Sequence, residues 1–246
     1  MKYREIKIDG YLSNFIKFFW EYENNEKVEH CILPDGYFDL IAEYENGILT
    51  KLKLTGVWTK PVTVSLPPST KIFAIRFKLI SAEYLFQQEI KSILDKTQLL
   101  PTNFLGIDTI KNDSLEQFVS TLSNQINHSI KHLKKIDERK INLFRHIYEG
   151  KNYSVNQLSK IIFWNSRQIN RYFDKQYGFP LKTFLNIVRC NDTYHDIANG
   201  KLYSTTEYTD QAHYIKEIKK YTGTTPTKLA ENKNDRFLQL SIVNSK

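Results

Sequence analysis

The spacing of apolar residues changes once along this chain, and that change limits what the chain can fold into. Across residues 28–79 apolar and polar residues alternate, as in the segment 48–54, which is typical of strands with one buried and one wet face. Turn signals separate these runs at Pro34-Asp35-Gly36, Asn46-Gly47 and Pro67-Pro68. From Ala82 onward the spacing becomes three or four, so we predict helices there.

This order of patterns predicts an α+β protein with an N-terminal antiparallel β-rich domain, a helical linker and a C-terminal all-α domain. The length of 246 residues is enough for two such domains. We place the β-rich domain at 1–112, the linker helix at 113–136, the helical domain at 137–232 and a C-terminal tail at 233–246.

The linker helix has one apolar stripe, which must be covered by another surface. The cover is either the β-rich domain or the same helix of a second subunit. His128 and His132 are four residues apart on this helix, but no further ligand is spaced to complete a metal site, and we predict none. The stripe consists of Leu115, Phe118, Val119, Leu122, Ile126, Ile130 and Leu133.

Charge is distributed unevenly along the chain. The formal net charge is +8, and residues 137–246 hold 18 Lys+Arg against 11 Asp+Glu. A basic domain suits a polyanionic partner such as a nucleic acid, although a basic surface without a partner remains the alternative.

Two further features bear on the compartment of the protein. Cys31 and Cys190 form no ligand or redox motif, so we expect two small buried hydrophobes in a reducing setting. No segment has the ~18 consecutive apolar residues of a membrane helix, and the N-terminus does not resemble a signal peptide. We therefore expect a cytoplasmic protein with no membrane partner.

Two short helices joined by a tight turn are predicted between residues 154 and 173. Ser154 with Gln157 forms a capping box at the start of the first helix, and Asn165 offers the N-cap of the second. In the second helix, the apolar side chains of Ile169 and Phe173 are predicted to face inward. Its opposite stripe carries Arg167, Asn170 and Arg171.

That stripe has the chemistry of a recognition helix. Arginine can pair bidentately with guanine and asparagine with adenine in the major groove. An ordinary solvated helix face can carry the same residue types.

The segment 154–184, with Arg-Gln-Ile-Asn-Arg-Tyr-Phe at 167–173, resembles the first helix-turn-helix of AraC-type regulators. The run from Tyr208 to Pro226, with Asp210-Gln211-Ala212-His213-Tyr214 at its centre, is similar to the closing signature of the second unit, and Arg189 stands where that family's linker helix carries an arginine. The resemblance implies a tandem helix-turn-helix domain with two recognition helices in successive major-groove segments.

The same resemblance implies a role for individual residues. The base-facing positions are Arg167, Asn170 and Arg171 in the first unit and Gln211, Ala212 and Lys216 in the second. The residues placed near phosphates are Lys175, Lys219 and Lys220.

Two departures from the family pattern stand out. Phe163 occupies the turn of the first unit, where a small residue or glycine is common. The segment 201–209 is about six residues short for the first helix of the second unit, and its β-branched and polar residues make a poor helix. An adaptor, or a protein that binds nucleic acid without sequence preference, is therefore the alternative to a sequence-specific regulator.

The N-terminal part resembles an uncharacterised domain often found before AraC-type units. The resemblance rests on 33–41, 56–61 and 74–77 and implies a sensor or dimerisation role. It leaves open a small-molecule effector, a homodimer partner and, for an activator, RNA polymerase, beside the double-stranded DNA partner. The aromatic residues Tyr37, Phe38, Trp58 and Phe77 could line a pocket or fill the core.

An enzyme is the competing class, and we predict that the chain is not one. It lacks the nucleophile-elbow, phosphate-loop, zinc-protease and dinucleotide motifs, and no cofactor is expected. Asp35 and Asp39 near His30 could form an acid/base cluster, but a turn explains Asp35 and the wet side of a strand explains Asp39.

Overall fold

The computed structural model of the chain describes residues 2–110, 114–131, 136–150, 153–203, 208–232 and 237–244. It is an α+β protein with an antiparallel β-rich N-terminal part and a helical C-terminal part. The strands are β1 (Lys2–Lys7), β2 (Ile16–Glu23), β3 (Val28–Ile32), β4 (Phe38–Glu45), β5 (Ile48–Thr55), β6 (Val62–Leu66), β7 (Thr70–Phe77) and β8 (Thr97–Leu100).

Six of these strands form one antiparallel sheet in the order β1-β2-β7-β4-β5-β8, and β3 pairs with β6 in a separate two-stranded antiparallel sheet. The strands predicted between residues 28 and 79 are confirmed. Asn46 and Gly47 join β4 to β5 with φ values of 49° and 80°. A two-residue hairpin turn with positive φ at both central positions is the type that Asn-Gly favours.

The expectation of helices from Ala82 onward is wrong at one place. Helix α1 (Ile80–Tyr84) is short, and β8 then extends the sheet by pairing with β5, with Leu54 opposite Gln98. Only four residues long and exposed along most of its length, β8 has too few residues to establish an alternating pattern.

The linker helix α2 (Leu115–Lys131) covers one face of the large sheet. The Phe118 ring lies 6.1 Å from that of Phe19 and 5.4 Å from that of Phe73, centroid to centroid. The predicted stripe therefore faces the β-rich part rather than a second subunit. Leu133 and His132 lie outside the described residues.

The opposite face of the sheet is covered too, so the expectation of a wet face is wrong for its central strands. Asp39, predicted on that wet side, is only 7% exposed. Its carboxylate accepts hydrogen bonds from Trp20 Nε1 at 2.9 Å and from Arg76 Nε at 3.0 Å. A buried carboxylate is tolerated there because these donors replace water.

The candidate acid/base cluster has a structural explanation in the turn and the sheet. Asp35 Oδ1 accepts from the backbone of Tyr37 at 3.0 Å, as its turn position predicts, and Asp35 Oδ2 lies 3.0 Å from Arg76. His30 instead pairs with the Tyr22 hydroxyl at 2.8 Å.

The aromatic residues proposed for a pocket divide between two roles. Phe38 and Phe77 stack in the core with ring centroids 5.4 Å apart, and Tyr37 is buried against Tyr148 at 5.0 Å. Trp58 alone of the four lines a cavity, which is described below.

Nine further helices follow α1. They are α2 above, α3 (Glu138–Tyr148), α4 (Val155–Ile161), α5 (Ser166–Tyr177), α6 (Leu181–Asp192), α7 (Tyr194–Ala198), α8 (Gln211–Thr222), α9 (Pro226–Glu231) and α10 (Leu238–Asn244), all counted within the described ranges.

The core continues across the predicted domain boundary near residue 137. One cluster of buried residues runs from Phe19 in the sheet through Phe144 in α3 to Phe184 in α6. A second cluster places Cys31 of β3 with Cys190 of α6, so both cysteines are buried as predicted. The helical part is thus packed against the β-rich part along a shared apolar interface.

No helix among the described residues is both long and apolar enough to cross a bilayer. In the same ranges, no three His, Cys, Asp or Glu side chains gather as metal ligands.

Candidate nucleic-acid interface

Helices α4 and α5 form the predicted pair, and local hydrogen bonds define both starts. Ser154 accepts from the Gln157 backbone while the Gln157 side chain accepts from the Ser154 backbone at 2.8 Å, a complete capping box. Asn165 Oδ1 accepts from the Arg167 backbone at 2.8 Å and caps α5. Gly178, in the left-handed conformation with φ 84°, ends α5.

Phe163 lies in the turn between the two helices with φ 52°, and its side chain is 91% exposed. The turn therefore has the left-handed geometry that glycine favours, although a phenylalanine occupies it. This conformation costs a residue with a Cβ about 1–2 kcal/mol, and the ring recovers none of it by burial.

The inner face of α5 is fixed by apolar packing and by a buried polar group. Ile169 and Phe173 are fully buried. Tyr172 donates to Glu83 of α1 at 2.9 Å and lies 2.8 Å from the Tyr177 hydroxyl. Burial raises the pKa of Tyr172 and of Tyr177 well above the usual value, so both hydroxyls keep their protons.

The C-terminal end of α5 is held by the β-rich part. The backbone carbonyl of Gln176 accepts a hydrogen bond from the Ile90 backbone N–H at 3.0 Å. The Gln176 side chain donates to the Gln88 backbone carbonyl at 2.6 Å. Because both ends and the inner face are held, the outer side chains project from a rigid base.

That outer face is basic and exposed. Arg167, Gln168, Arg171 and Lys175 all lie on it, and we call these four residues the α5 basic face. Within the described ranges neither arginine forms an ion pair with a carboxylate. Sequence reasoning missed Gln168, because the predicted stripe takes positions i, i+3 and i+4 from Arg167 and leaves out the residue next to it.

Asn170, predicted to face bases, is partly buried instead of fully exposed. Its Oδ1 accepts a hydrogen bond from the Leu181 backbone N–H at the start of α6, at 3.2 Å. The amide oxygen therefore joins α5 to α6.

The second predicted recognition helix is α8, which Asp210 caps by accepting from the His213 backbone at 2.8 Å. Ala212, Lys216 and Lys219 are exposed on it. Ile215, at 37% exposed, lies beside them and was not predicted. Gly223, in the left-handed conformation with φ 74°, ends the helix.

Two other residues assigned to α8 have neighbours of their own. Gln211 is partly buried and donates from Nε2 to the Leu202 carbonyl at 3.0 Å. Lys220 lies 4.0 Å from Glu217 and 4.9 Å from the centroid of Tyr221.

The support for α8 differs from that for α5. Helix α6 connects the two units and carries Arg189 in its last turn, where the resemblance places an arginine. The short α7 ends at Ala198, well before α8 begins at Gln211. Residues 201–203 and 208–210 are not helical, in keeping with the poor helix predicted there, and 204–207 lie outside the described residues.

Comparison with known proteins gives one family match and several distant structural ones. Residues 4–98 match a family described as "Domain of unknown function (DUF6597)". This covers less than half of the chain. No curated protein matches the sequence.

Among solved structures, ToxT from Vibrio cholerae O395 is 11% identical with a TM-score of 0.43, covering 85% of this chain and 95% of that one. Unsaturated fatty acid bound wild-type ToxT from Vibrio cholerae strain SCE256 is 9% identical with a TM-score of 0.42, covering 85% and 93%. ToxT from O395 bound to (E)-4-(8-methylnaphthalen-1-yl)but-3-enoic acid is 11% identical with a TM-score of 0.43, covering 97% and 98%. These similarities are distant, and nothing about the activity of this chain follows from them.

Proposed function

We propose that this chain is a sequence-specific regulator of transcription that binds double-stranded DNA in the major groove with α5 and α8. The observation that carries the proposal is the α5 basic face, where Arg167 and Arg171 are exposed on a firmly packed helix. Arginines without a protein carboxylate are available to guanine O6 and N7 or to phosphates. The resemblance of 154–184 and 208–226 to AraC-type units supports the same function.

In this proposal the α5 basic face divides into two roles. Arg167, Gln168 and Arg171 read base edges, because guanidinium groups pair bidentately with guanine and a carboxamide with adenine. Lys175, one turn further along, contacts the phosphate backbone. Asn170 positions α5 against α6 through its amide oxygen, and its amide nitrogen can donate to a base.

On α8, Ala212 and Ile215 provide methyl contacts to thymine, and Lys216 reaches a base or a phosphate. Lys219 and Lys220 add phosphate contacts, which contribute affinity without sequence information. Gln211 holds the loop at Leu202 through its amide nitrogen.

The β-rich part has a regulatory role in this proposal, as a sensor or a dimerisation module, in a cytoplasmic protein. It contacts the end of α5 through Gln88 and Ile90, and Pro61 lies beside Gly223 at the end of α8. A change in the β-rich part would thereby reach both recognition helices. An effector, a second copy or RNA polymerase would each act through these contacts.

The test is selection from a random duplex library with the purified full-length protein, followed by sequencing. We expect one enriched motif, and a specific site should outcompete random DNA by at least ~10³. Arg171→Ala should change the motif, while Lys51→Ala, an exposed lysine on β5, is the matched control and should not. A library that stays random after selection would refute the proposal.

The second candidate is an adaptor or a non-specific nucleic-acid-binding protein, favoured by the separation of α7 from α8. If α8 does not enter the groove, Lys216→Ala should leave binding unchanged. Random DNA should then compete as well as any selected sequence, since phosphate contacts alone carry no sequence preference.

A further inference from the structure

A cavity of about 300 Å³ lies between the large sheet and the two-stranded β3–β6 sheet. It is separate from the α5 basic face and from α8. Its volume is at the lower end of the range for small-molecule sites, so it suits a molecule of one or two fused rings.

The walls of the cavity are largely aromatic and aliphatic. Trp20 and Tyr3 lie on one side with ring centroids 6.2 Å apart, and Tyr22, Trp58, Ile41 and Ile72 extend the surface. Flat aromatic walls favour a planar guest, because offset and edge-to-face ring contacts add to the burial of apolar area.

Each charged group on these walls already has a partner of opposite charge. Arg76 pairs with Asp39 through Nε and Nη2, at 3.0 and 3.1 Å, and with Asp35 through Nη1 at 3.0 Å. Lys53 pairs with Glu43. A charged ligand would lose its hydration in the cavity without gaining a free counter-ion. An uncharged ligand does not have this cost of desolvating a charge.

Two carboxylates on the walls can accept further hydrogen bonds. Asp39 Oδ2 and Glu43 each have further lone pairs, since carboxylates offer about four acceptor positions. The ligand that fits is therefore uncharged and planar and carries an N–H or O–H donor.

One wall of the cavity belongs to the C-terminal end of the chain. Leu238 and Gln239 of α10 line it. Gln239 donates to the Leu33 carbonyl at 2.8 Å and accepts from the Leu33 backbone at 3.0 Å. Asn232, which follows α9, accepts from the Phe237 backbone at 2.7 Å. The helix that closes the cavity is thus bonded to Leu33, directly after β3, and the residue before it is bonded to the end of α9.

We propose that this cavity binds a small, uncharged aromatic or heteroaromatic molecule with an N–H or O–H donor, and that the bound molecule stabilises the docking of α10. The site is independent of the proposed DNA contacts and can be tested without DNA. A ligand that touches Leu238 adds contacts only when α10 is docked, so it must favour the docked state by its differential affinity.

The test uses indole and benzimidazole as probes of the full-length chain in isothermal titration calorimetry at neutral pH. We expect indole to bind at least ten-fold more tightly than indole-3-acetate or tryptamine, which add one negative or one positive charge. Backbone hydrogen exchange at 237–241 should slow when indole is bound. The proposal would be overturned if either charged compound bound as tightly as indole or more tightly. It would also be overturned if neither indole nor benzimidazole bound at concentrations up to about 1 mM.

Variants locate the binding site. Ile72→Trp fills the cavity from the large sheet and Val64→Trp fills it from the two-stranded sheet, where disturbance of the core is smaller because Val64 is only partly buried. Either should weaken indole binding at least ten-fold and remove its effect on exchange at 237–241. Leu99→Trp, at an exposed position on β8 outside the cavity, is the control and should bind indole as before. If the folded cavity-filling variants bind indole unchanged, the ligand lies elsewhere and the proposal is wrong.

Discussion

Asn170 and Leu181 are joined by a hydrogen bond of 3.2 Å, in which the Asn170 amide oxygen accepts from the Leu181 backbone N–H. Leu181 is the first residue of α6, and its N–H has no acceptor within that helix. Pro180 precedes it without a side-chain cap of its own. Asn170 therefore performs, from a neighbouring helix, the task that an N-cap residue usually performs.

The first prediction is that Asn170→Ala lowers the free energy of unfolding by about 1–2 kcal/mol, the range for losing a helix cap or a partly buried hydrogen bond. Urea denaturation followed by circular dichroism measures it. Gln168→Ala, on the exposed side of the same helix, is the control and should change stability by less than about 0.5 kcal/mol. If both variants are equally stable, the hydrogen bond between Asn170 and Leu181 does not contribute to the free energy of unfolding.

The second prediction separates base reading from phosphate contact on α5. Arg167→Ala should cost about 1–3 kcal/mol on the selected site and relax the preference at one base position. Lys175→Ala should weaken binding equally on all sequences and lower the slope of log K against log salt by about 1. Fluorescence anisotropy over a salt series measures both. If Arg167→Ala changes neither the selected motif nor the affinity, then α5 does not bind in the major groove.

The third prediction concerns Phe163 in the turn before α5. Phe163→Gly should stabilise the protein by about 1 kcal/mol, because glycine adopts φ 52° without the Cβ penalty. The exposed ring contributes little packing that could be lost. Phe163→Ala keeps the Cβ and should give no such gain, which separates backbone strain from loss of the ring. Thermal unfolding of the two variants decides.

If Phe163→Gly instead lowers stability, the left-handed turn is not strained. A loss of DNA affinity in Phe163→Gly at unchanged stability would show that the ring itself contacts a partner.

Local patterns predicted local structure well in this chain. The caps at Ser154 and Asn165 and the hairpin turn at Asn46-Gly47 all appear as expected, since each depends on residues close together in sequence. The face of α2 that packs on the sheet was also predictable from its period of three to four.

The sequence pattern could not predict which distant residues contact the polar side chains of each strand or helix. Asp39 has the polar character of a wet strand position, but Arg76, 37 residues away, makes its burial acceptable. Asn170 sits on a polar helix stripe, and only the arrival of α6 shows that its oxygen is engaged. Both cases require tertiary contacts, which periodicity does not encode.

The fourth prediction tests the buried charge cluster. Burial disfavours the charge of Arg76, but the carboxylates of Asp35 and Asp39 outweigh it and raise the pKa of the guanidinium. Arg76→Met should destabilise the protein by about 3–5 kcal/mol, because it leaves buried carboxylates without a counter-ion. Arg139→Met removes an exposed pair with Asp137, formed at 2.7 Å, and should cost far less, because ion pairs exposed to water contribute little to stability. Similar losses in the two variants would contradict this account.

The fifth prediction is a pH dependence caused by Lys78. Its ammonium group donates to the Ser13 carbonyl at 2.6 Å, yet burial, reinforced by the nearby charge of Lys17, lowers its pKa from 10.5 to about 8. Between these two values the unfolded chain holds the proton while the folded protein has released it. Stability therefore rises with pH through this window, since the unfolded state binds more protons.

Comparison of the wild type with Lys78→Met isolates this contribution, because groups present in both proteins cancel, including Cys190, whose pKa burial raises to about 12. The free energy of unfolding of the wild type relative to Lys78→Met should be lowest below a pH of about 8 and should increase steadily toward a pH of about 10. Denaturant titrations at several pH values measure this difference, with Lys51→Met as the control for loss of an exposed lysine. A difference that stays constant across the window, or that falls with pH, would show that the Lys78 ammonium is not destabilised by its surroundings.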